Sequence, residues 1–557
     1  MADASSDGSD IEAENDYVGD SFTVIDANEE WIHEMFESDT DGDEENCDFD
    51  GFHEEWIYEE FSQRAKANLF RKRAGLLCVH PEEAGALDYF ELFWDLNMWQ
   101  HIVTETNIYA EQERDKNPPP TYAPHYRPTD IPEMKSFIGL CFGMGILRLP
   151  ARNDYWRVGK FLFKTNYNHI MPRDTFNLLW RYLHLQNNEE LGPQGDRNAD
   201  KLFKIRWFVN YLNEKFQSVY MPYGQFSLDE SMVKFKGRLG FRQYMPAKPI
   251  KWGVKIWSVC EADTGYLYNF QIYTGKDNGV QEKGLSHRVV MDLCTPLFGT
   301  NACIYMDNYY TGIELFHDLH VHGIHACGTV RANRKGLPNR LLPKNTKLQK
   351  HEFKLAQKDE LTYCIWQDTK PVLFLSNFHS PDDTGIVSRR NNVRQKVNVT
   401  TPSLISDYQM NMGGVDRMDQ MIHYYMINHR SHKWWRRIFF SLAMSCAHNA
   451  YICAKDEHPI PSMNRWPNFQ DFIEDLSEEL IGNSRAKKAV KVCNIERPVL
   501  EHKVEKIFTK RKVCRECSLA ASGKGQRPGA TNFGCVQCQI PVHVECQSKH
   551  IMRCYSA

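Results

Sequence analysis

A chain of 557 residues, 42% apolar and 12% aromatic, has length for three or four domains with cores of their own, which excludes a small stapled scaffold. Its longest clean apolar run, Phe137 to Leu147, falls short of the roughly 20 residues that span a bilayer, and its acidic start lacks the basic segment of a signal peptide, so a soluble intracellular protein with no membrane partner is expected. The net charge of -5 conceals an asymmetry: residues 1–60 hold 23 of the 72 acids and no Lys or Arg, so the remaining 49 acids face all 67 bases and the rest of the chain carries about +18, which suits a polyanion.

Residues 1–60 read as an acidic, solvated, disordered tail. Two sharper roles exist for it: competing with DNA for the basic body, or binding a partner through Trp31, Phe36, Phe49, Phe52 and Trp56. Residues 61–200 are expected to be helical. Phe90, Phe93, Leu96, Ile102 and Ile108 predict a helix over 89–113 that stops before Pro118-Pro119-Pro120. Asp130 and Glu133 form a capping-box pattern that opens a helix through Leu147, and Pro172 opens another to about Leu185.

A mixed α/β core is expected to begin in residues 201–330. Phe226, Leu228, Met232 and Phe235 alternate with polar residues as in a half-buried strand, and that strand carries Asp229. An ionised carboxylate taken out of water needs a cation or a metal. Trp252 to Cys260 and Tyr266 to Tyr273 predict a hairpin in which Asp263 only forms the turn. A helix over 286–297 then leads to a strand that ends on Asp307, the end of an α/β strand where reactive groups collect, and a strand over 324–330 follows. Residues 331–407 read as a β-rich insertion, with strands at Leu361 to Trp366 and Val372 to Ser376, and with Arg331, Arg334, Lys335, Arg389, Arg390, Arg394 and Lys396 as candidate phosphate contacts.

Residues 408–460 return to the core. Asp416 and Asp419 follow the Gly413-Gly414 break at i and i+3, on one face of a first helical turn. His432 to Phe440 opens a helix to about Ala454, in which Lys433 and Arg436 are candidate DNA contacts; adjacent Trp434 and Trp435 cannot share a face, so one belongs in the core. One acid on a first strand, one at the end of a later strand and one on a following helix is how an RNase H-like core assembles a divalent-metal site. Residues 461–512 read as a basic linker that ends in Lys510, Arg511 and Lys512. In residues 513–557 the series Cys514, Cys517, Cys535, Cys538, His543, Cys546, His550 and Cys554 supplies four close ligand pairs, enough for two tetrahedral Zn²⁺ sites. A cross-brace would join the first and third pairs on one ion and the second and fourth on the other, and the pairing stays open.

Ser227-Leu228-Asp229-Glu230-Ser231 with Phe235 to Arg238, then Met306-Asp307-Asn308, then Gly413 to Gln420 occur in order, and together they resemble the piggyBac-type transposases and their genome-derived relatives, from about Tyr89 to the C-terminus. The resemblance implies a nuclear DDD-type enzyme that cuts and pastes double-stranded DNA, with transposon terminal repeats and TTAA targets as substrates. It implies a helical dimerisation and DNA-binding region at 61–200, an insertion splitting the core at 331–407, and a cysteine-rich module that reads end DNA. The chemistry calls for two Mg²⁺ ions per active site, Asp229 bridging them, Asp307 on one and Asp416 on the other, with Asp419 as a further ligand or its support. Two alternatives stand beside it: a domesticated DNA or chromatin binder that no longer cuts, and a metal nuclease that does not join strands.

Overall fold

A computed structural model describes residues 56–61, 70–78, 84–116, 126–157, 165–190, 200–246, 248–275, 284–390, 394–427, 429–457, 465–482, 504–521, 529–536 and 540–546. The chain divides into two compact units, 1–485 and 486–557. The acidic stretch to residue 55, and with it Trp31, Phe36, Phe49 and Phe52, lies outside the described residues.

In the first unit the helix expected over 89–113 forms as two, α1 (Ala86–Glu91) and α2 (Leu96–Lys116). Asp95 Oδ1 accepts the Met98 N–H at 3.1 Å and caps a fresh start, while Phe93 and Trp94 turn inward and are fully buried. Asp130 caps α3 (Ile131–Ile146), its Oδ1 accepting from Glu133 N at 2.9 Å. The reciprocal half of the box does not form, because Arg127 (2.6 Å) and Thr129 Oγ1 (2.9 Å) take the Glu133 carboxylate. Helices α4 (Arg173–Tyr182) and α5 (Arg206–Val219) complete the layer.

Five strands of four or more residues follow: β1 (Gln225–Lys234), β2 (Trp252–Glu261), β3 (Leu267–Ile272), β4 (Cys303–Met306) and β5 (His325–Thr329), with α6 (Leu285–Cys294) and α7 (Ile313–Val321) between β3, β4 and β5. Their order is β3-β2-β1-β4-β5; β2 runs antiparallel to β1 and β3, and β4 runs parallel to β1 and β5. β1 is buried on both faces rather than half-buried, with Phe226, Leu228 and Met232 on one face and the mainly polar Ser227, Asp229 and Ser231 on the other. Phe93 meets Phe216 at 5.7 Å and Trp94 meets Phe439 at 5.7 Å, so the helical layer and the sheet share one core.

The strands expected in the insertion continue this sheet. β6 (Phe353–Lys358), β7 (Leu361–Gln367) and β8 (Pro371–Ser376) form an antiparallel set whose last member pairs with β5. A separate ribbon, β9 (Thr384–Arg390) with β10 (Lys396–Pro402), leads to α8 (Ser403–Asn411). Trp56 also belongs to the fold: Nε1 donates to Gly336 O at 2.8 Å, and Ile57 bridges to Gln357 on the outer edge of β6.

Helix α9 (Gly414–Tyr425) carries the last acids, and α10 (Trp434–Glu457) runs through the core with Trp435 buried and Trp434 packed edge-on against Phe241 at 5.3 Å. Residues 461–512 are not linker throughout, since α11 (Phe469–Ile481) lies among them. Its Phe472, Ile473 and Leu476 are fully buried, and Ser477 Oγ donates to Gly139 O at 2.6 Å across the contact with α3. Among the described residues no helix is long and apolar enough to cross a membrane.

Candidate metal centres

Leu228 on β1 pairs with Met306 on β4 in parallel register, so Asp229 and Asp307 come next on neighbouring strands. Helix α9 brings the other two acids by lying close against β1. A Cβ on Gly414 would come within 2.3 Å of Ser227 Oγ and 2.5 Å of Glu261 O, so only glycine allows the approach. The Val415 N–H donates to Ser227 Oγ at 3.2 Å, and Asp416 and Asp419 follow on the next turn.

The electrostatics tie the four together. Burial pushes the Asp229 carboxyl well above its usual range, with Lys248 opposing and Glu230 and Asp416 adding. Burial and the neighbouring Asp416 push Asp419 up to about 7. Burial and Glu230 push Asp307 up to about 6, against the Tyr309 N–H, which donates to its Oδ1 at 2.9 Å. Asp416 is raised by burial and by Glu230, against the pull of Lys248. Asp416 raises Asp229 and Asp419, and Glu230 raises Asp229, Asp307 and Asp416, a repulsion that a hard divalent cation would relieve.

Three residues of this site carry no sequence pattern that marks them. Glu230, buried at 6% exposure, is held below the usual carboxylate range because Lys255 and Lys248 outweigh its burial. Lys255 Nζ sits 2.9 Å from Glu230 Oε1, over the Trp257 and Tyr309 rings. Lys248 Nζ stands 3.7 Å from Asp229 Oδ2 and donates to Glu230 O at 3.3 Å. Position next to Asp229 was the only available sign for Glu230.

The candidate DNA bases divide into exposed and sequestered. Arg331 Nε donates to Asn308 Oδ1 at 3.0 Å and Arg334 to Tyr309 O at 2.5 Å, so both brace the turn after Asp307; Lys335 beside them is exposed. Arg390, Lys510, Arg511 and Lys512 are exposed, while Lys433 is half-buried, its Nζ 3.3 Å from Tyr109 Oη. Arg389 and Arg436 correct the expectation of surface phosphate contacts. Arg389 Nε pairs with Asp368 at 3.2 Å and covers the Trp366 ring. Arg436 is 5% exposed, stacked over Trp180 and Trp435, and burial beside Arg152 brings its guanidinium down to about 9. Helix α10 is enclosed on most of its sides, with Trp435, Ile438, Phe439 and Phe440 also buried, so residue 436 is covered as well.

A Ser-His-Asp series also exists, and its geometry is structural. Ser376 Oγ lies 2.8 Å from His379 Nδ1, and His379 Nε2 lies 3.0 Å from Asp407 Oδ2. The hydroxyl is fully buried and accepts the Phe378 and His379 N–H groups, so it clasps α8 to β8 and faces no substrate.

In the second unit the ligand atoms of Cys514, Cys517, His543 and Cys546 lie within 4.8 Å of one another. Cys517 Sγ is 3.8 Å from Cys546 Sγ and 3.4 Å from His543 Nδ1. A tetrahedron with metal-sulfur bonds of about 2.3 Å has edges of about 3.8 Å, so the donors fit one ion. These are the first and third ligand pairs. Burial of Cys514 is outweighed by N–H donors from Cys517 and His543, which bring its thiol to about 7. Cys535 is fully buried elsewhere in the unit, and Cys538, His550 and Cys554 lie outside the described residues. Cys514, Cys517 and Cys546 are not joined in disulfides.

Residues 85–451 match the family model described as Transposase IS4. PiggyBac transposable element-derived protein 3 of Homo sapiens is 27% identical over 476 residues, which cover 83% of this chain and 75% of that protein. PiggyBac transposable element-derived protein 2 of Homo sapiens is 28% identical over 397 residues, 68% of this chain and 63% of that protein. A cryo-EM structure of a piggyBac transposase synaptic complex with hairpin DNA shares the fold, with a TM-score of 0.65 at 22% identity over 85% of this chain and 100% of that one.

Proposed function

Because the chain belongs to the transposase family described as Transposase IS4, in its piggyBac branch, we propose that it cuts and rejoins double-stranded DNA at the carboxylate cluster of Asp229, Asp307, Asp416 and Asp419. The observation that carries this reading is the convergence of acids from β1, the end of β4 and the first turns of α9 on one site in which each group's ionisation is opposed. The β3-β2-β1-β4-β5 order supports an RNase H-like core, with β6 to β10 as the insertion that splits it.

The donor set is all carboxylate, as hard divalent ions such as Mg²⁺ prefer, and Asp229, Asp307 and Asp416 would hold them with Asp419 in support. Two such ions would supply an activated water or 3′-hydroxyl and a stabilised leaving oxygen. The chain's own part is to orient. The Tyr309 N–H fixes the Asp307 carboxylate, Gly414 fixes the distance of α9 from β1, and Arg331 and Arg334 brace the Asn308-Tyr309 turn where a DNA strand would pass. Exposed Lys335, Arg390, Lys510, Arg511 and Lys512 would contact phosphates and set affinity without reading sequence.

In the second unit the soft donors Cys514, Cys517 and Cys546 with His543 suit Zn²⁺, and Cys535, Cys538, His550 and Cys554 would supply a second ion in a cross-brace. That module would recognise transposon-end DNA, as a homodimer would require of each copy. Transposon terminal repeats with TTAA targets, and action in the nucleus, complete the reading.

The test is strand cleavage and joining on TTAA-flanked ends with Mg²⁺, for wild type and Asp229→Asn. Wild-type cleavage that Asp229→Asn abolishes, with end binding retained, supports the transposase. Tight binding with no nicking or joining leaves the domesticated binder standing, a reading that the names of the human element-derived relatives keep open. Cleavage without joining leaves the plain nuclease.

A further inference from the structure

The carboxylate cluster faces two lysines, and they are held differently. Lys255 is on β2, is 13% exposed, has a partner of its own in Glu230 at 2.9 Å, and is covered by the Trp257 and Tyr309 rings. It is a fixed part of the wall. Lys248 comes from the irregular stretch between Tyr244 and Trp252 that closes back on itself through Met245 N to Lys251 O at 2.9 Å. Its side chain is 30% exposed and makes two looser contacts, 3.7 Å to Asp229 Oδ2 and 3.3 Å to the Glu230 carbonyl oxygen. The negative field at its ammonium comes from Asp229, Glu230, Asp416 and Asp419 together, so it lies between the β1 acids and the two acids of α9.

We infer that Lys248 is a stand-in cation: it occupies the Asp229 side of the cluster in the absence of DNA, and DNA phosphate draws it away so that a divalent ion takes its place. The inference rests on the carboxylate cluster being a divalent-metal site. An ammonium close to Asp229 repels an incoming divalent ion and competes for the same oxygen. Held by one 3.7 Å ion pair and one backbone oxygen, and with no ring over it among the described residues, Lys248 can exchange one anion for another, and a DNA backbone offers phosphate oxygens at high local density. By linkage, whatever DNA does to metal affinity through Lys248, metal does to DNA affinity in equal measure. Loading of the site is thereby coupled to arrival of the substrate, and Lys248 acts as a positioning residue.

The experiment measures Mn²⁺ binding to the full, zinc-loaded chain at pH 8 by the electron paramagnetic resonance of free Mn²⁺, with and without a short duplex, for wild type, Lys248→Met, Lys248→Arg and Asp307→Asn. Without DNA, Lys248→Met should bind Mn²⁺ about tenfold more tightly than wild type, and Lys248→Arg should stay near wild type. Duplex should strengthen Mn²⁺ binding by wild type more than by Lys248→Met. Melting temperatures identify any variant whose fold has suffered, and the charge-keeping Lys248→Arg then decides. Equal or weaker Mn²⁺ binding by folded Lys248→Met, or the same duplex effect in both, overturns the inference while leaving the metal site intact. Binding by Asp307→Asn as strong as by wild type removes the metal site itself, and the inference with it.

Discussion

The carboxylate cluster and the cysteine-histidine cluster both gather ligands for cations, and they are built on opposite plans. Asp229, Asp307, Asp416 and Asp419 are held by a sheet and helices whose core includes fully buried Trp94, Phe216, Val259 and Val415, so their positions are determined whether or not a cation is present. The second unit buries few apolar side chains among its described residues, with Cys514, Cys535 and Val542 the fully buried ones in the apolar class. A unit of that size with so few buried apolar side chains among its described residues would take its folding energy from a bound metal. One site stores repulsion in a rigid frame, and the other would become a frame when an ion binds.

The largest effect should come from removing a ligand in the small unit. Chelation, or Cys514→Ser, should unfold the second unit, detected as rapid proteolysis there while the central sheet and packed helices of the first unit stay resistant, because structural zinc supplies about 10–16 kcal/mol in comparable small domains. Survival of the module after exhaustive chelation would break the comparison.

The same operation on the carboxylate cluster should have the opposite structural sign. Asp307→Asn should lower strand cleavage by about 10³-fold or more, and Asp419→Asn should impair it severely. Yet the metal-free Asp307→Asn protein should melt at or above the wild-type temperature, since a neutral amide removes one of the crowded charges. A lower melting temperature would mean that the cluster stabilises the frame as well.

A smaller effect follows from pH. Asp307 and Asp419 titrate near 6 and 7 in the folded protein, above the roughly 3.9 of an unfolded Asp. At these two sites the folded state therefore binds more protons between those values, so their contribution to metal-free stability is greatest at the acid end of roughly pH 4–7 and falls as pH rises through that window, opposite in sign to that of His184 and His448, which burial lowers. The difference in melting temperature between wild type and the Asp307→Asn, Asp419→Asn double variant, followed against pH without metal, isolates the two carboxyls; the wild-type deficit should grow as pH rises and shrink with Mg²⁺, and a deficit that does not grow would contradict it.

The smallest expected effect concerns the acidic segment. Trp56 is tied to Gly336, one residue beyond Lys335 in the basic stretch, and Ile57 to Gln357, so the cut that leaves the fold whole removes residues 1–55. That deletion should strengthen non-specific DNA binding at low salt by a few-fold, and the gain should shrink with added salt, which screens charges beyond about 10 Å at 0.1 M. Equal affinities would assign the segment to solubility or to another partner.

Much of this molecule was legible because it is written at short range. Alternation marked β1, and two runs around Ala262 to Gly265 marked the β2-β3 hairpin. Asp130 announced the start of α3, and i, i+3 spacing put Asp416 and Asp419 on one face of α9. Even α11, read as linker, carried its signal in Asn468 and the spacing of Phe469, Phe472, Ile473 and Leu476. The break at Asp95 was missed because a capping Asp inside an apolar rhythm looks like one more polar position.

By itself the sequence determined which residues are able to bind cations and the local element that carries each, since propensity, capping and ligand spacing act over a few residues. The tertiary structure alone decided what meets. It brought Lys248 to Asp229, 19 positions away in the chain, without any periodicity to announce it. Packing turned Arg436 and Arg389 inward from an outwardly basic pattern, made β6, β7 and β8 an extension of the central sheet, and tied Trp56 to Gly336 across 280 positions. Such meetings depend on strand register and on how closely one backbone can approach another, as Gly414 does over Ser227, and those are properties of the whole core.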